Sequence, residues 1–360
     1  MAKKIVRKKV LITKSQLVNK PRELRPHVVI LGAGASVAAF PTGDANGKQL
    51  PTMDNLVEIL DLEPILKRGG VEYKNSNFED VYSRLYESNP NLHLLKEIEE
   101  IVYDYFSSLQ LPDVPTLYDH LLMSLRPKDI VATFNWDPFL FDAWNRNKDN
   151  VPIPELIHLH GNVRVAHCLE HSCYGQHGMI CSECRRELMP TRLLYPVTVK
   201  NYNNDSFIKT EWEVLKKSLR QALTLTVFGY SAPHTDKEAV ELMNRAWDKQ
   251  NRLIERVEII DIKNKEDLWS QWDPLIIRTY LDCYANFYQS RLATYPRRTC
   301  EQLIDQTMYG LLVEGNGITP EASFDELLAW VKPLVVAEDK LGINDKFTAE
   351  KLEDSGEENE

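Results

Sequence analysis

Short apolar runs that end at polar or turn-forming residues recur along the chain and set its predicted architecture. Five of them have the length of buried strands, at 27–31, 129–134, 156–159, 225–228 and 257–260. Repetition of strand, polar end and helix is typical of an open parallel sheet, in which ligands bind beyond the carboxyl ends of the strands. The sequence therefore predicts an α/β fold with a ligand site at that edge.

Two further stretches are predicted to be mainly helical, 52–126 and the part beyond residue 280. Residues 41–48, between the first strand and the first of these stretches, form a polar, turn-rich loop that contains Asp44 and Lys48. Such a loop could close on a ligand as a mobile lid, or it could be a plain surface loop.

The first strand ends at Gly32-Ala33-Gly34-Ala35-Ser36. Glycine permits positive φ and leaves no side chain between backbone and ligand, and Ser36 can cap the helix that follows. Together these features predict a phosphate cradle. An ordinary strand-to-helix turn is the alternative, because the third glycine of the dinucleotide fingerprint is absent.

The other predicted strands also end in polar groups. Asn135 and Asp137 follow the second strand, and His160 follows the third. Ser231 and Asp261 follow the fourth and fifth. Three of these residues also have a purely structural interpretation: His160 as a hydrogen-bonded core histidine, Asn135 as a helix cap, and Asp137 as a favourable charge at a helix N-terminus.

Composition and charge narrow the class of protein. The chain has 360 residues, of which 43% are hydrophobic and 27% are charged. It contains no run of the ~18 apolar residues that a membrane helix needs and no secretory signal, so we expect a cytoplasmic protein without a membrane partner. The net charge of −10 argues against a dedicated nucleic-acid-binding protein. Residues 1–26, however, hold nine Lys and Arg against one Glu, and 350–360 hold six acidic residues against one Lys.

The charged ends have two interpretations. They could be solvated tails, or the basic arm could dock on an acidic partner surface or on nucleic acid.

Four of the six cysteines crowd into a short segment with the spacing Cys168-x4-Cys173-x7-Cys181-x2-Cys184. In a chain without an export signal this predicts a structural zinc site rather than disulfides, although a redox pair or chance clustering would also fit. His167, His171 or His177 could replace one of the cysteines as a ligand.

Five motifs occur in the order that they have in sirtuins, and the chain resembles that family over about residues 28–265. They are Gly32-Ala33-Gly34-Ala35-Ser36, Thr133-Phe134-Asn135-Trp136-Asp137, His160-Gly161, the two cysteine pairs and Phe228-Gly229-Tyr230-Ser231. The resemblance implies a Rossmann-like open parallel sheet with a helical insertion, a small zinc-knuckle insertion and a C-terminal helical extension. It also implies that NAD binds between the sheet and the zinc-bearing insertion.

The resemblance further implies roles for individual residues. Gly32, Gly34 and Ser36 would hold the pyrophosphate, with Ala33 beside them. Asn135 and Asp137 would hold the nicotinamide ribose and carboxamide, and His160 would be the catalytic base. Ser231 would bind the adenosine side, and Gly229 and Asp261 are further predicted cofactor-binding residues.

The chain departs from the protein deacylases of the family. The Asp-Phe-Arg segment that follows their glycine turn is missing, and residues 40–45 stand there instead. A segment at 196–200, a helix with Trp212 and a Gly-Tyr-Ser-x-Pro-x-x-Asp motif look like bacterial sirtuin-like proteins of antiphage defence, which hydrolyse NAD. The four cysteines instead favour a deacylase, since deacylases of the family keep them and many defence proteins do not.

We therefore expect an NAD glycohydrolase that acts in antiviral defence by depleting NAD. An NAD-dependent deacylase or ADP-ribosyltransferase is the first alternative, and a non-catalytic sensor of NAD or ADP-ribose is the second. A homo-oligomer and a sensor or ATPase partner protein are also expected. The predicted divisions are a basic arm (1–26), an NAD-binding domain (27–280) with insertions at about 52–126 and 165–190, a helical extension (281–340) and an acidic tail (341–360).

Overall fold

A computed structural model describes residues 11–73, 77–88, 92–171, 173–196, 205–233, 236–276 and 281–344. Its strands are β1 Leu11–Ile12, β2 His27–Leu31, β3 Ile130–Thr133, β4 Glu155–His158, β5 Val165–His167, β6 Tyr174–Gln176, β7 Met189–Pro190, β8 Thr224–Phe228, β9 Arg256–Ile260, β10 Leu281–Tyr284 and β11 Leu312–Val313.

The α-helices of the described residues lie between and after these strands. They are α1 Lys14–Val18, α2 Ala33–Ala39, α3 Leu56–Ile59, α4 Glu63–Arg68, α5 Phe78–Ser88, α6 Leu92–Ser107, α7 Leu117–Met123, α8 Phe139–Asn147, α9 Ser206–Gln221, α10 Lys237–Trp247, α11 Lys265–Trp272, α12 Arg291–Thr294, α13 Thr299–Tyr309 and α14 Phe324–Lys340.

Six strands form one parallel sheet in the order β10-β9-β8-β2-β3-β4. All five strands that the apolar runs predicted are in it. The chain runs outward from β2 through β3 and β4, then returns to place β8 on the other side of β2. This is the strand order of a Rossmann fold, and its switch point lies between β2 and β8. The predicted Rossmann-like open parallel sheet is confirmed.

The sheet extends one strand beyond the predicted boundary at residue 280. Leu281 of β10 pairs with Val257 of β9, and a 3₁₀ turn at Phe287–Gln289 and the short α12 follow. The prediction that this region turns directly to helix is wrong. β10 is an edge strand in which only Leu281 is fully buried, so it lacks the continuous apolar run that marked the inner strands.

The helical insertion between β2 and β3 packs together with the C-terminal helix. Leu327 and Val331 of α14 belong to the same hydrophobic cluster as Val29 and Leu31 of β2 and the buried faces of α6 and α7. Glu338 near the end of α14 is fully buried between the guanidinium groups of Arg297 and Arg298. The predicted C-terminal helical extension is thus present, and it is part of the main core.

Half of the basic arm docks on this chain's own C-terminal region. β1 pairs with β11, the side chains of Leu17 and Val18 are buried, and Arg22 forms an ion pair with Asp305. Residues 11–26 are therefore held by this chain itself, mainly through strand pairing and apolar packing. Residues 1–10, and 345–360 of the acidic tail, lie outside the described residues.

A small antiparallel sheet of β5, β6 and β7 carries the cysteine-rich segment, between β4 and α9. This corresponds to the predicted knuckle insertion at about 165–190. Among the described residues, no helix is both long and apolar enough to cross a lipid bilayer.

Candidate active site and metal cluster

A cavity of about 520 Å³ opens at the carboxyl ends of the strands, at the switch point between β2 and β8. Every residue that the sequence assigned to catalysis or cofactor binding lines it. These are Gly32, Ala33, Gly34, Ser36, Asn135, Asp137, His160, Gly229, Ser231 and Asp261. Residues from five different strand ends meet there because parallel strands all end at the same edge of the sheet.

The glycine turn lies directly against the loop that follows β8. A Cβ atom on Gly32 would stand 2.5 Å from the Cα atom of Tyr230, and one on Gly34 would stand 2.9 Å from the Cα atom of Gly229. Gly229 has φ +60°. The amide of Gly34 donates to the carbonyl of Gly229 at 2.9 Å. The glycines are required by this close backbone approach, since neither Gly32 nor Gly34 has a positive φ.

Ser36 has a different local role from the predicted helix cap. The N-cap of α2 is Gly32, and Ser36 lies inside the helix with 2% of its surface exposed. Its hydroxyl donates to Asp137 Oδ2 at 2.6 Å and accepts from Tyr118 OH at 2.6 Å and from Asn135 Nδ2 at 2.9 Å. Ser36 therefore joins the glycine turn, the loop after β3 and helix α7.

This network sets the orientation of the Asn135 amide. Asn135 Nδ2 donates to the carbonyl of Gly32 at 2.9 Å as well as to Ser36. A carbonyl oxygen can only accept, so the nitrogen must face it and both amide hydrogens are used. Oδ1 is the atom that Asn135 can offer to a ligand. The interpretation of Asn135 as a helix cap is not supported by these contacts.

Asp137 is buried and combines two contacts. Its Oδ2 accepts from Ser36, and its Oδ1 accepts from the amide of Phe139 at the start of α8, at 3.2 Å. Burial raises the pKa of Asp137 to about 6, against the lowering effect of these two hydrogen bonds. The carboxyl group thus titrates near neutral pH at the edge of the cavity.

His160 meets a carboxylate that the sequence analysis did not assign to the site. Its Nε2 lies 3.8 Å from Asp236 Oδ1, and Tyr230 OH donates to Asp236 Oδ2 at 3.0 Å. The ring of His160 packs edge-on against Phe134, which stacks on Tyr230. Asp236 is the last residue of the Gly-Tyr-Ser-x-Pro-x-x-Asp motif, so that motif was the signal that could have identified it.

Loop 41–48 is held in place rather than free to close. Asp44 is buried, and its carboxylate accepts from the amides of Asn46, Lys48 and Gln110 at 2.8–3.0 Å. The cavity is lined instead by the next segment, 50–54. The contacts favour the surface-loop alternative over the lid. Segment 50–54 carried no sequence signal, because its residues reach the cavity only through the packing of the helical insertion.

The cysteine-rich segment contains a cluster of four candidate metal ligands: Cys168, His171, Cys181 and Cys184. Their donor atoms all lie within 4.8 Å of one another. Cys173, the fourth predicted ligand, is not in this group, and its thiol accepts from Ser182 Oγ at 3.9 Å. Three thiolates and an imidazole are a donor set that zinc accepts, so the cluster is compatible with structural zinc.

None of the four clustered residues lines the large cavity. With four protein ligands a metal here has no open coordination position, so its chemistry would be structural. It would hold the loop after β5 and the turn before β7 together.

The fold and cavity define a parallel α/β protein with a cofactor-sized site at its topological switch point. No family model and no curated protein matches the chain. Among solved structures it is similar to Sir2 bound to an acetylated peptide (13% identity over 82% of this chain and 96% of that chain, TM-score 0.36). Others are Sir2Tm bound to a propionylated peptide (14%, 82% and 96%, TM-score 0.36) and a Sir2 homolog–NAD complex (13%, 85% and 89%, TM-score 0.31). TM-scores this low assign neither a ligand nor an activity to this chain.

Proposed function

We propose that this protein is an NAD glycohydrolase, which splits NAD into nicotinamide and ADP-ribose. The observation that carries the proposal is the convergence of Asn135, Asp137 and His160 on the cavity that also contains the glycine turn. Open parallel sheets bind nucleotides at this position, and glycosidic bonds are cleaved by positioned polar groups and a base. The sirtuin-like order of the motifs supports NAD as the nucleotide.

The chemistry assigns a distinct task to each side chain. Cleavage of the bond between nicotinamide and ribose passes through an oxocarbenium-like state, so water must be held at the ribose carbon. Asn135 Oδ1 can accept a hydrogen bond from that water. As the water attacks, nicotinamide leaves with the bonding electrons, and the proton of the water passes to His160. Ser36 and Asp137 keep Asn135 in its orientation.

The absence of the deacylase segment after the glycine turn favours water over acyl-lysine as the acceptor. In place of that segment the chain has a loop held by Asp44, which does not line the cavity. Hydrolysis needs only water and NAD, so it is the simpler reaction for this site.

The test is to incubate the purified chain with NAD, with and without an acetylated peptide, and to quantify nicotinamide, ADP-ribose and O-acetyl-ADP-ribose. We expect nicotinamide release that does not depend on the peptide and that is lost in Asn135→Ala and His160→Ala. Strict dependence on the peptide would instead identify a deacylase. Binding of NAD without any release, in the presence of candidate partner proteins, would identify a sensor.

We further propose that the activity serves antiviral defence in the cytoplasm by depleting NAD. An enzyme that destroys a central cofactor has to be restrained until it is needed, which motivates a homo-oligomer or a sensor or ATPase partner as the regulator. Expression of the chain during phage infection, with cellular NAD measured over time, tests this role. NAD levels that do not differ between the wild type and His160→Ala would rule it out.

A further inference from the structure

Three distances between the candidate donor atoms of the cysteine-rich cluster match the edges of a tetrahedral zinc site. Cys168 Sγ lies 3.4 Å from His171 Nδ1 and 3.7 Å from Cys184 Sγ, and Cys181 Sγ lies 3.7 Å from His171 Nδ1. Zinc binds sulfur at about 2.3 Å and imidazole nitrogen at about 2.0–2.1 Å, which in a tetrahedron places two sulfurs about 3.8 Å apart and sulfur and nitrogen about 3.6 Å apart. The three edges agree with these values.

The second ring nitrogen of His171 supports the same assignment. A histidine that binds a metal through one nitrogen usually presents the other N–H to a carboxylate or carbonyl. Here Nε2 lies 3.6 Å from Glu183 Oε2. Glu183 is between the ligands Cys181 and Cys184, so one short turn supplies two thiolates and the carboxylate that faces the imidazole.

Cys173 is the alternative to His171 as the fourth metal ligand. Its carbonyl accepts from the amide of Cys168 at 2.8 Å, which extends the pairing of β5 with β6 by one residue. The loop between Cys168 and Cys173 contains His171, and this loop brings the imidazole to the cluster. The thiol of Cys173 is bonded to the hydroxyl of Ser182.

We propose that this protein binds zinc through Cys168, Cys181, Cys184 and His171 Nδ1, and that Cys173 is not a ligand. The sequence spacing of two cysteine pairs predicted four thiolates. The structure assigns three thiolates and one imidazole.

The test measures metal content and the number of coordinating thiolates in the full-length chain. Zinc is quantified by elemental analysis, and Co²⁺ is substituted because its sulfur-to-metal charge-transfer absorption increases with the number of thiolates. We expect one zinc per chain and a three-thiolate cobalt spectrum in the wild type. Cys173→Ser should leave both unchanged, whereas His171→Ala should lose the metal and Cys181→Ser serves as the positive control for loss.

His171→Cys keeps the test decisive if His171→Ala does not fold. This variant should bind cobalt with a four-thiolate spectrum, because a thiolate then replaces the imidazole. A four-thiolate spectrum in the wild type, or a loss of one thiolate in Cys173→Ser, would overturn the assignment in favour of Cys173. Neither readout depends on NAD hydrolysis, so the result is independent of the proposed activity.

Discussion

His160 and Asp236 face each other across 3.8 Å at the wall of the cavity. A carboxylate at this distance attracts a positively charged imidazolium, so it would stabilise His160 after that residue has accepted a proton in the proposed reaction. Both side chains are almost fully buried, so solvent screens the interaction weakly. Tyr230 holds the second oxygen of Asp236 and thereby sets the direction of the carboxylate.

Replacing Asp236 with Asn should slow the proposed NAD hydrolysis. Without the negative charge the imidazolium formed at His160 is no longer stabilised, so kcat/KM for NAD should fall by roughly tenfold or more. The measurement is kcat/KM for NAD at neutral pH.

Asp267→Asn is the matched control, since Asp267 is an exposed carboxylate in the first turn of α11 and does not line the cavity. Its kcat/KM should equal that of the wild type. An unchanged kcat/KM in Asp236→Asn would contradict the role of Asp236.

A methyl group on Gly34 should disrupt the packing of the glycine turn. The new Cβ would meet the backbone of Gly229 at 2.9 Å, and backbone atoms have little freedom to move away. We expect Gly34→Ala to lower the free energy of unfolding by about 1–3 kcal/mol and to abolish NAD hydrolysis. Gly69→Ala is the control, because the nearest atoms to its Cβ would be the side-chain methyl groups of Leu85 and Leu94 at 3.1 and 3.2 Å, which can shift, and the backbone would be no nearer than 3.4 Å. Equal urea midpoints for the two variants would refute the explanation.

At the scale of elements, strand β9 carries a buried carboxyl group that faces a side chain of its neighbour β8. Glu258 of β9 is fully buried and accepts from Thr226 Oγ1 at 3.0 Å and from the amide of Arg291 at 2.7 Å. Burial raises the pKa of Glu258 to about 7, from 4.5. The folded protein therefore binds a proton that the unfolded chain releases between these pH values, so this group's contribution to stability falls as pH rises through that window.

Glu258→Gln should remove that pH dependence. A shift of this size corresponds to roughly 3 kcal/mol, so the wild type should lose stability relative to the variant by that order between pH 5 and pH 8. Urea unfolding at several pH values measures the difference directly. Glu266→Gln, on the exposed face of α11, is the control and should run parallel to the wild type.

The N-terminal element packs into the protein and should contribute to its stability. Arg298, fully buried, donates to the carbonyls of Leu17 and Val18 at 3.3 and 2.9 Å. Deleting residues 1–26 removes these acceptors and two buried apolar side chains, so the free energy of unfolding should fall by at least about 2 kcal/mol. Deleting only residues 1–10 is the control. If both truncations unfold at the same urea concentration, the docking of residues 11–26 contributes nothing.

At the scale of the whole molecule, the sheet, the helical insertion and α14 share one hydrophobic cluster below the cavity. A ligand that bridges the loops after β2, β3 and β8 should therefore stabilise the entire fold. ADP-ribose in hundredfold excess over its Kd should add about 2.7 kcal/mol to the free energy of unfolding. A melting temperature that rises with ADP-ribose in the wild type but not in Gly34→Ala would place the nucleotide in this cavity. No rise in either protein would argue against a nucleotide site.

The sequence by itself determined the inner strands and the polar groups that follow them. Continuous apolar runs, glycine turns and prolines act over a few residues, so they can be read without knowing the rest of the chain. The ten residues predicted to share a site do so because they end parallel strands of one sheet. The cavity was therefore predictable once the strands were known.

Only the tertiary structure decided which distant groups meet. It placed Asp236 beside His160, Tyr118 on Ser36, His171 rather than Cys173 in the metal cluster, and residues 11–26 on the C-terminal region. Each contact depends on how loops and helices pack across long separations in sequence, and a partly exposed strand such as β10 has too weak a local pattern to be recognised. The position of the glycine turn follows from the local sequence. The need for glycine at 32 and 34 comes from tertiary packing, because the backbone of Gly229 and Tyr230 lies against them.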